Sequence, residues 1–408
     1  MRQLVNEAIG SVLNLEAARF PRKRQRNQEA QRRFNLMVSA LVCDATHAHL
    51  MEPGEWRRIS LSKDRLSRRD AGPEFITEQF RTVVKYMSEP PLHWIELEVG
   101  NKSPFGANQS TIRAGRLLRQ RVEELYLQTG AIGRDLHLMG DPLILRSAKV
   151  KGEARDIDVP AGEATEALRR DTMKINEWLA AANIRCRDEY LRRRRLDLSD
   201  RWLRRIFNNG SMTQGGRMYG GFWMPMDADE RLRELYVNGE PVVGLDFGQC
   251  GIRIAYGRLG LTPPHGDLYA VPSLVGHREG VKRVTSAMFF ADKPLERKPR
   301  DTAKVLARGW DIQYVQQRIM ERHAPITTLF YSGFGMTAQF IESNILVQAL
   351  LALLNSGVVA LPVHDCLIVP RSAESLATAT MLRVFKEIAG VDGVVDRKAL
   401  NDEPEEDF

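Results

Sequence analysis

The chain has 408 residues, with 59 Lys and Arg against 52 Asp and Glu, a formal charge of +7, 43% apolar and 27% charged residues. This is ordinary globular composition, and at about 150 residues per domain it allows two or three domains that bury cores without disulfides or metal. Cys43, Cys186, Cys250 and Cys366 form no CxxC pair or regular spacing, which argues against a disulfide framework or zinc ribbon and for a reducing, cytoplasmic setting. The sequence shows no uninterrupted apolar run of about 18 residues, and MRQLVNEAIGSVLNLEAARF lacks the apolar stretch and cleavage site of a signal peptide. Neither a membrane partner nor secretion is expected.

Residues 1–35 read as a basic helical arm, one amphipathic helix or two short ones, ending in the Arg-dense PRKRQRNQEAQRR. Such segments suit a phosphate backbone through charge neutralisation, although a solvated helix face has the same composition. Cys43, Asp44, His47 and His49 in LVCDATHAHL could suggest a metal, but on a helix His47 and His49 do not share a face. Within 36–135, Thr77 is a candidate N-cap, and Phe80, Val83, Val84 and Met87 fall at i, i+3, i+4 and i+7 before Pro90-Pro91 stops the helix. WIELEV then alternates as a strand, GNKSPFGANQS makes a polar turn, TIR a second strand, and AGRLLRQRVEELYL a further helix. This order resembles the winged-helix domains of plasmid and phage replication proteins, which implies duplex binding with Arg81, Lys85, Lys102 and Arg113 as the phosphate or base contacts.

Residues 136–207 read as an exposed connection, VKGEARDIDVPAGEA, followed by a long helical tract from Thr165 to Phe207. Its apolar face would carry Leu168, Ile175, Leu179, Tyr190, Leu198, Trp202 and Ile206, and its polar face is basic, which predicts a thumb-like element. The acidic 396–408 segment is expected to be a solubilising tail, or a peptide through which a replication protein docks.

The strongest signals lie in 208–395. In EPVVGLDFGQCGIRIAYGRLG an apolar strand ends on Asp246, and in GVVALPVHDCLIVP two apolar strands flank His364-Asp365 at a tight hairpin. Two strands would thus deliver two carboxylates to one rim, a pair that needs a counter-charge such as Mg²⁺. Taken singly, each Asp could merely cap a turn. Between them, Arg278, Lys282, Ser286 and Phe290 recur every four residues and share one helix face, suited to a triphosphate and a base.

The order D-x6-R, then R-x3-K-x7-F, then H-D resembles motifs A, B and C of the right-hand polymerases, the group of family A DNA polymerases and the single-subunit RNA polymerases of phage and mitochondria. The resemblance covers about 206–395. It implies an α+β palm, fingers and thumb-like core with an antiparallel palm sheet, in which Asp246 and Asp365 bind two Mg²⁺ ions, with Mn²⁺ as substitute. Arg278 and Lys282 would hold phosphates, and Phe290, Gly251 and Phe247 would meet the nucleotide. GGRMYGGFW is similar to the Gly-Arg-x-Tyr element ahead of motif A, which places Arg217 at template or hybrid; Arg253, His364 and Glu342 are further template or primer candidates. AQFIES resembles an Asn-Phe-x-His-Ser helix, with Glu342 where the His would be, and GDLYA (266–270) falls where a similar Asp-aromatic stretch precedes motif B.

In the DNA polymerases of this group a Glu five residues past the motif A Asp blocks a 2′-hydroxyl. Gly251 stands there, while Phe290 lacks the hydroxyl with which the RNA polymerases favour ribose, and Ala291 replaces a usual Gly. The expected activity is therefore DNA-templated nucleotidyl transfer from nucleoside triphosphates, with RNA or mixed-sugar primer synthesis ahead of DNA synthesis. No proofreading domain is expected, and the protein is expected to be a nucleoid-associated monomer in a phage, plasmid or bacterial setting. The competing class is a non-catalytic replication initiator with a winged helix and a degenerate palm.

Overall fold

The computed structural model describes residues 1–19, 21–22, 24–62, 66, 75–100, 102–103, 106–107, 109–129, 134, 136, 139–150, 152–194 and 196–398. It is an α+β protein of two compact units, 1–135 with 192–199, and 136–191 with 200–408.

The first unit runs α1 (Arg2–Arg19), α2 (Gln28–Met51), β1 (Arg57–Ile59), α3 (Gln79–Ser88), β2 (Ile95–Glu98), β3 (Lys102–Ser103), β4 (Gly106–Ala107), β5 (Ser110–Ala114) and α4 (Arg116–Thr129). Helix α2 starts where the Asn27 side chain accepts a hydrogen bond from the Ala30 N–H at 2.8 Å, satisfying one of the open donors of a helix start. Leu4, Ala8, Val12 and Leu15 of α1 enter the same core as Phe34, Val38 and Val42 of α2 and Phe80, Val83, Val84 and Met87 of α3. The boundary expected at residue 35 therefore falls inside α2, and the arm is an integral part of this core. Helix α3 starts one residue later than expected, after Glu78 rather than Thr77. The central strand is β5, antiparallel to β1 on one edge and to β2 on the other, and β3 pairs with β4 as a hairpin between β2 and β5 in the chain. Gly115 is required after β5, because a Cβ there would lie 2.1 Å from the His93 carbonyl oxygen.

The second unit begins with β6 (Leu143–Arg146), β7 (Asp156–Ile157), α5 (Glu163–Ala181), β8 (Ile184–Cys186) and α6 (Asp188–Arg194). It continues with β9 (Leu203–Asn208), β10 (Ser211–Gly220), α7 (Ala228–Glu234), β11 (Leu235–Val237), β12 (Glu240–Gly248) and α8 (Cys250–Arg258). Helices α9 (Arg278–Phe290), α10 (Ile312–Arg322) and α11 (Phe334–Asn355) follow, then β13 (Leu361–Val363), β14 (Cys366–Pro370), α12 (Glu374–Ala389) and β15 (Val394–Lys398). One sheet has the order β10-β9-β6-β7, with β6 and β9 parallel; the other is antiparallel, β13-β14-β12-β11-β8, with β15 also on β12.

The single helical tract expected from Thr165 to Phe207 is instead α5, β8, α6 and β9. In Ile184-Arg185-Cys186 and Leu203-Arg204-Arg205-Ile206-Phe207 the buried residues alternate, the period of a strand rather than a helix. α5, β8, β9 and the start of α6 belong to the same unit as the later sheets, while 192–199 cluster with the first unit. The expected tail boundary also moves: Asp396, Arg397 and Lys398 pair with β12, and 399–408 lie outside the described residues, as does any docking by the tail.

Helix α11 is long and apolar enough to cross a membrane by length and composition, a run the sequence reading missed because Gln339, Glu342 and Asn344 interrupt it. It packs against β10, α5, α8, α9 and α12, and its buried residues include Glu342 and Ser343.

Candidate active site

Strand β12 carries Val242, Val243 and Leu245 into the core and bears the half-buried Asp246 two residues before its end at Gly248, rather than ending on it as expected. Alternation turns the next side chain to the opposite face, where the Phe247 ring sits 5.5 Å from that of Phe385 on α12. Phe247 is therefore a core residue and not the nucleotide contact expected. Strand β14 pairs with β12 so that Cys366 opposes Asp246, and the two-residue turn His364-Asp365 joins β14 to β13. His364 takes a left-handed backbone (φ +59°). Its ring meets the edge of Tyr219 on β10 at 5.9 Å. The Phe247 N–H donates to the Asp365 carbonyl at 3.2 Å, which fastens the two aspartate-bearing segments together.

The two acids sense one another. Burial first, and then the Asp365 charge, push the Asp246 carboxyl above its ordinary value, against the opposing pull of Lys398 and Lys282. Lys398 Nζ lies 3.3 Å from Asp246 Oδ1 as an ion pair, and no other described residue bonds that oxygen. Two hard oxygen donors, one met only by the long Lys398 contact, fit Mg²⁺, which keeps several waters and needs only one or two carboxylates plus substrate phosphates. Among the described residues there is no group of three or more His, Cys, Asp or Glu able to hold a metal. The Cys43–His49 cluster accordingly does not converge: His47 Nε2 instead meets Asp197 at 2.9 Å.

A second layer lies beneath. Arg217 on β10 donates through Nε (2.8 Å) and Nη2 (2.5 Å) to Glu342 on α11, so the expected template residue is committed to the expected departure from the helix motif. Burial holds the Glu342 carboxyl up, to about 7, with Asp365 and Asp246 adding to the rise and Arg217 opposing it. One turn of contact away, the fully buried Arg205 donates to the Gly216 carbonyl (2.9 Å), Ser343 Oγ (3.0 Å) and Asn344 Oδ1 (2.8 Å). Gly216 has φ +77°, and a Cβ there would come within 3.1 Å of the Phe207 ring, Ser343 Oγ and Arg205 Nη2, so the glycine lets β10 lie close to α11.

On α9, Arg278, Lys282, Ser286 and Phe290 are all exposed, as their spacing predicts. It is Phe289 that enters the core. The Phe290 ring rests on the backbone of Gly335, where a Cβ would sit 2.5 Å from it. Arg278 Nε donates to Asp267 at 2.5 Å, with the guanidinium 5.6 Å from the centre of the Tyr269 ring. The GDLYA stretch thus holds this cation. Gly251 is the second residue of α8, and a Cβ added there meets open space.

Arg253 departs from expectation. It is buried and donates to the Asp392 carbonyl at 3.0 Å, tying α8 to the turn before β15 instead of facing a template. In the first unit Arg81 and Lys85 are exposed, with Lys85 3.8 Å from Glu89. Arg113 is ion-paired to Glu96 at 2.5 Å and stacked 4.5 Å from the Trp56 ring, so it buttresses the β2–β5 pair and is not a free duplex contact. The Lys102 side chain lies outside the described residues.

Sequence reasoning missed Lys398 and His323. Lys398 had no signal, since VVDRK shows no strand alternation. Gln249 Oε1 accepts from the Leu268 N–H at 2.9 Å. His323, fully buried, has Nε2 2.8 Å from the Leu268 carbonyl and Nδ1 3.0 Å from the Tyr256 hydroxyl. The carbonyl can only accept, so Nε2 carries a proton, and burial favours the neutral ring in which Nδ1 accepts from the Tyr256 hydroxyl. These contacts fix the GDLYA stretch that holds Arg278. Burial lowers the His323 pKa below its ordinary 6.5. A base whose folded value lies below its unfolded value takes up its proton first in the unfolded chain. Its contribution is therefore present above about 6.5 and lost as pH falls toward the folded value. Melting temperature should drop as pH falls below about 6.5, and His323→Gln should flatten that slope.

No family model matches the chain, and no curated protein matches it.

Proposed function

We propose that the second unit is a DNA-templated nucleotidyltransferase of right-hand polymerase type, and that the first unit is a winged-helix module that binds duplex DNA. The observation that carries the reading is the meeting of Asp246 and Asp365. Asp246 stands on β12 and Asp365 in the turn that leads into its register partner β14, and the Phe247–Asp365 hydrogen bond joins the two segments. Lys282, on the exposed cationic face of α9, acts electrostatically on Asp246.

Asp246 and Asp365 would hold two divalent ions, which when bound lower the pKa of an attacking 3′-hydroxyl and offset charge on the departing pyrophosphate. The chain's own part is positioning. Arg278 leaves Asp267 for the triphosphate, Lys282 adds a second cation, and Phe290, seated on Gly335, offers a ring to the base. Arg217 and Glu342 stiffen the floor under Asp365. In the first unit, the order β1-β5-β2 with the β3–β4 hairpin, and the exposed Arg81 and Lys85 on α3, support the duplex-binding reading.

Labelled nucleotides, a single-stranded DNA template and Mg²⁺, with and without primer, test this directly. Templated product supports the reading; salt-sensitive duplex binding with no incorporation under Mg²⁺ or Mn²⁺ would point to an initiator. The open space at Gly251 supports use of ribonucleotides. A site discriminates strongly only where the wrong substrate clashes or leaves a buried polar group unpaired. Incorporation of ribo- and deoxyribonucleotides should differ by less than about a thousandfold, roughly 4 kcal/mol, and Gly251→Glu should shift the ratio toward deoxyribonucleotides. A larger native preference for deoxyribonucleotides, or no shift in the variant, removes the argument from Gly251.

A further inference from the structure

Resting on the reading above, we propose that Lys398 is a resident counter-cation of the aspartate pair, which a divalent ion must displace, so that the terminal strand sets the metal requirement of the site. Lys398 Nζ lies 3.3 Å from Asp246 Oδ1, and its charge also interacts with Asp365. The placement is built into the sheet. Lys398 opposes Gly244 in the β12–β15 register, and a Cβ on Gly244 would approach the Lys398 Cβ to 3.3 Å. A side chain at 244 would therefore crowd the stem that carries the ammonium toward Asp246.

Other cations near the acids are differently occupied. Arg217 is committed to Glu342, and Lys282 is exposed on α9. Two neighbouring carboxylates do not both stay ionised without a counter-charge. The ammonium supplies that charge at 3.3 Å, a long contact that leaves the Asp246 Oδ1 lone pairs only weakly engaged. Lysine is a flexible point charge, and this one is half-exposed on an edge strand, so it can swing into solvent when a divalent ion arrives.

The test is Mn²⁺ binding to the full chain, read by electron paramagnetic resonance at pH 8 with no nucleotide or DNA. Lys398→Gln, and Lys398→Met as a second neutral side chain, should bind Mn²⁺ about tenfold more tightly than the native protein, a gain of about 1.4 kcal/mol. Lys398→Arg should stay near the native value, and Asp246→Asn should lose the site. Unchanged or weaker binding in both neutral variants, with binding still lost in Asp246→Asn, overturns the role of Lys398 while leaving the metal site intact. Absence of Asp246-dependent binding in the native protein and in folded neutral variants overturns the polymerase reading, and this inference with it.

Discussion

Asp246→Asn and Asp365→Asn are each expected to lower templated incorporation by a thousandfold or more, about 4 kcal/mol of transition-state stabilisation, while duplex binding persists. An amide keeps the shape of the side chain but loses the charge that attracts a divalent ion. The same substitutions separate chemistry from folding. Asp246 is held above its ordinary value by burial and by Asp365, so removing either negative charge relieves repulsion in the folded chain, and the melting temperature should hold or rise. A variant that incorporates nucleotides at the native rate ends the assignment of that residue. Loss of incorporation together with a collapsed melting temperature would mean that the residue serves the sheet.

The parts of this site legible in the sequence share a property: each is set by local periodicity. An apolar strand carrying Asp246, a hairpin at His364-Asp365 and a four-residue repeat on α9 follow from side-chain direction along one element. What the sequence hid depends on which elements meet. Phe247 and Arg253 follow Asp246 at family-like spacing, yet the strand's alternation points the phenylalanine at Phe385, and α8 buries the arginine against Asp392. Lys398 reaches Asp246 only because β15 pairs with β12 across some 150 residues of chain. The Arg-rich tract was misread for a related reason. Long aliphatic stems on Arg185 and Arg204 occupy the outward positions of strands, and charge density alone does not distinguish that from the polar face of a helix. Arg113 shows the same limit in the first unit, since only the β2–β5 register brings Glu96 opposite to it.

Arg217→Ala should be the most destabilising single change at the site, by about 3 kcal/mol, the low end for breaking a buried ion pair. Its partner Glu342 is 7% exposed and stands near two further acids. Removing the guanidinium leaves the carboxylate without its two donors, and the group escapes part of the cost by holding a proton. This gives the loss a pH dependence of known sign. A carboxyl whose folded value, already about 7, exceeds its unfolded value retains its proton in the folded chain after the unfolded chain has released it. Stability then falls as pH rises between the two values. With Arg217 gone the folded value rises further, so Arg217→Ala should be more destabilised at pH 8 than at pH 5, as chemical denaturation would show. Glu342→Gln in the Arg217→Ala background should recover much of the loss and abolish the extra pH dependence, because a neutral amide no longer needs a counter-charge. Equal destabilisation at both pH values, or no rescue by the amide, would mean that Arg217 stabilises β10 through its packing on α11 and that the ion pair is incidental.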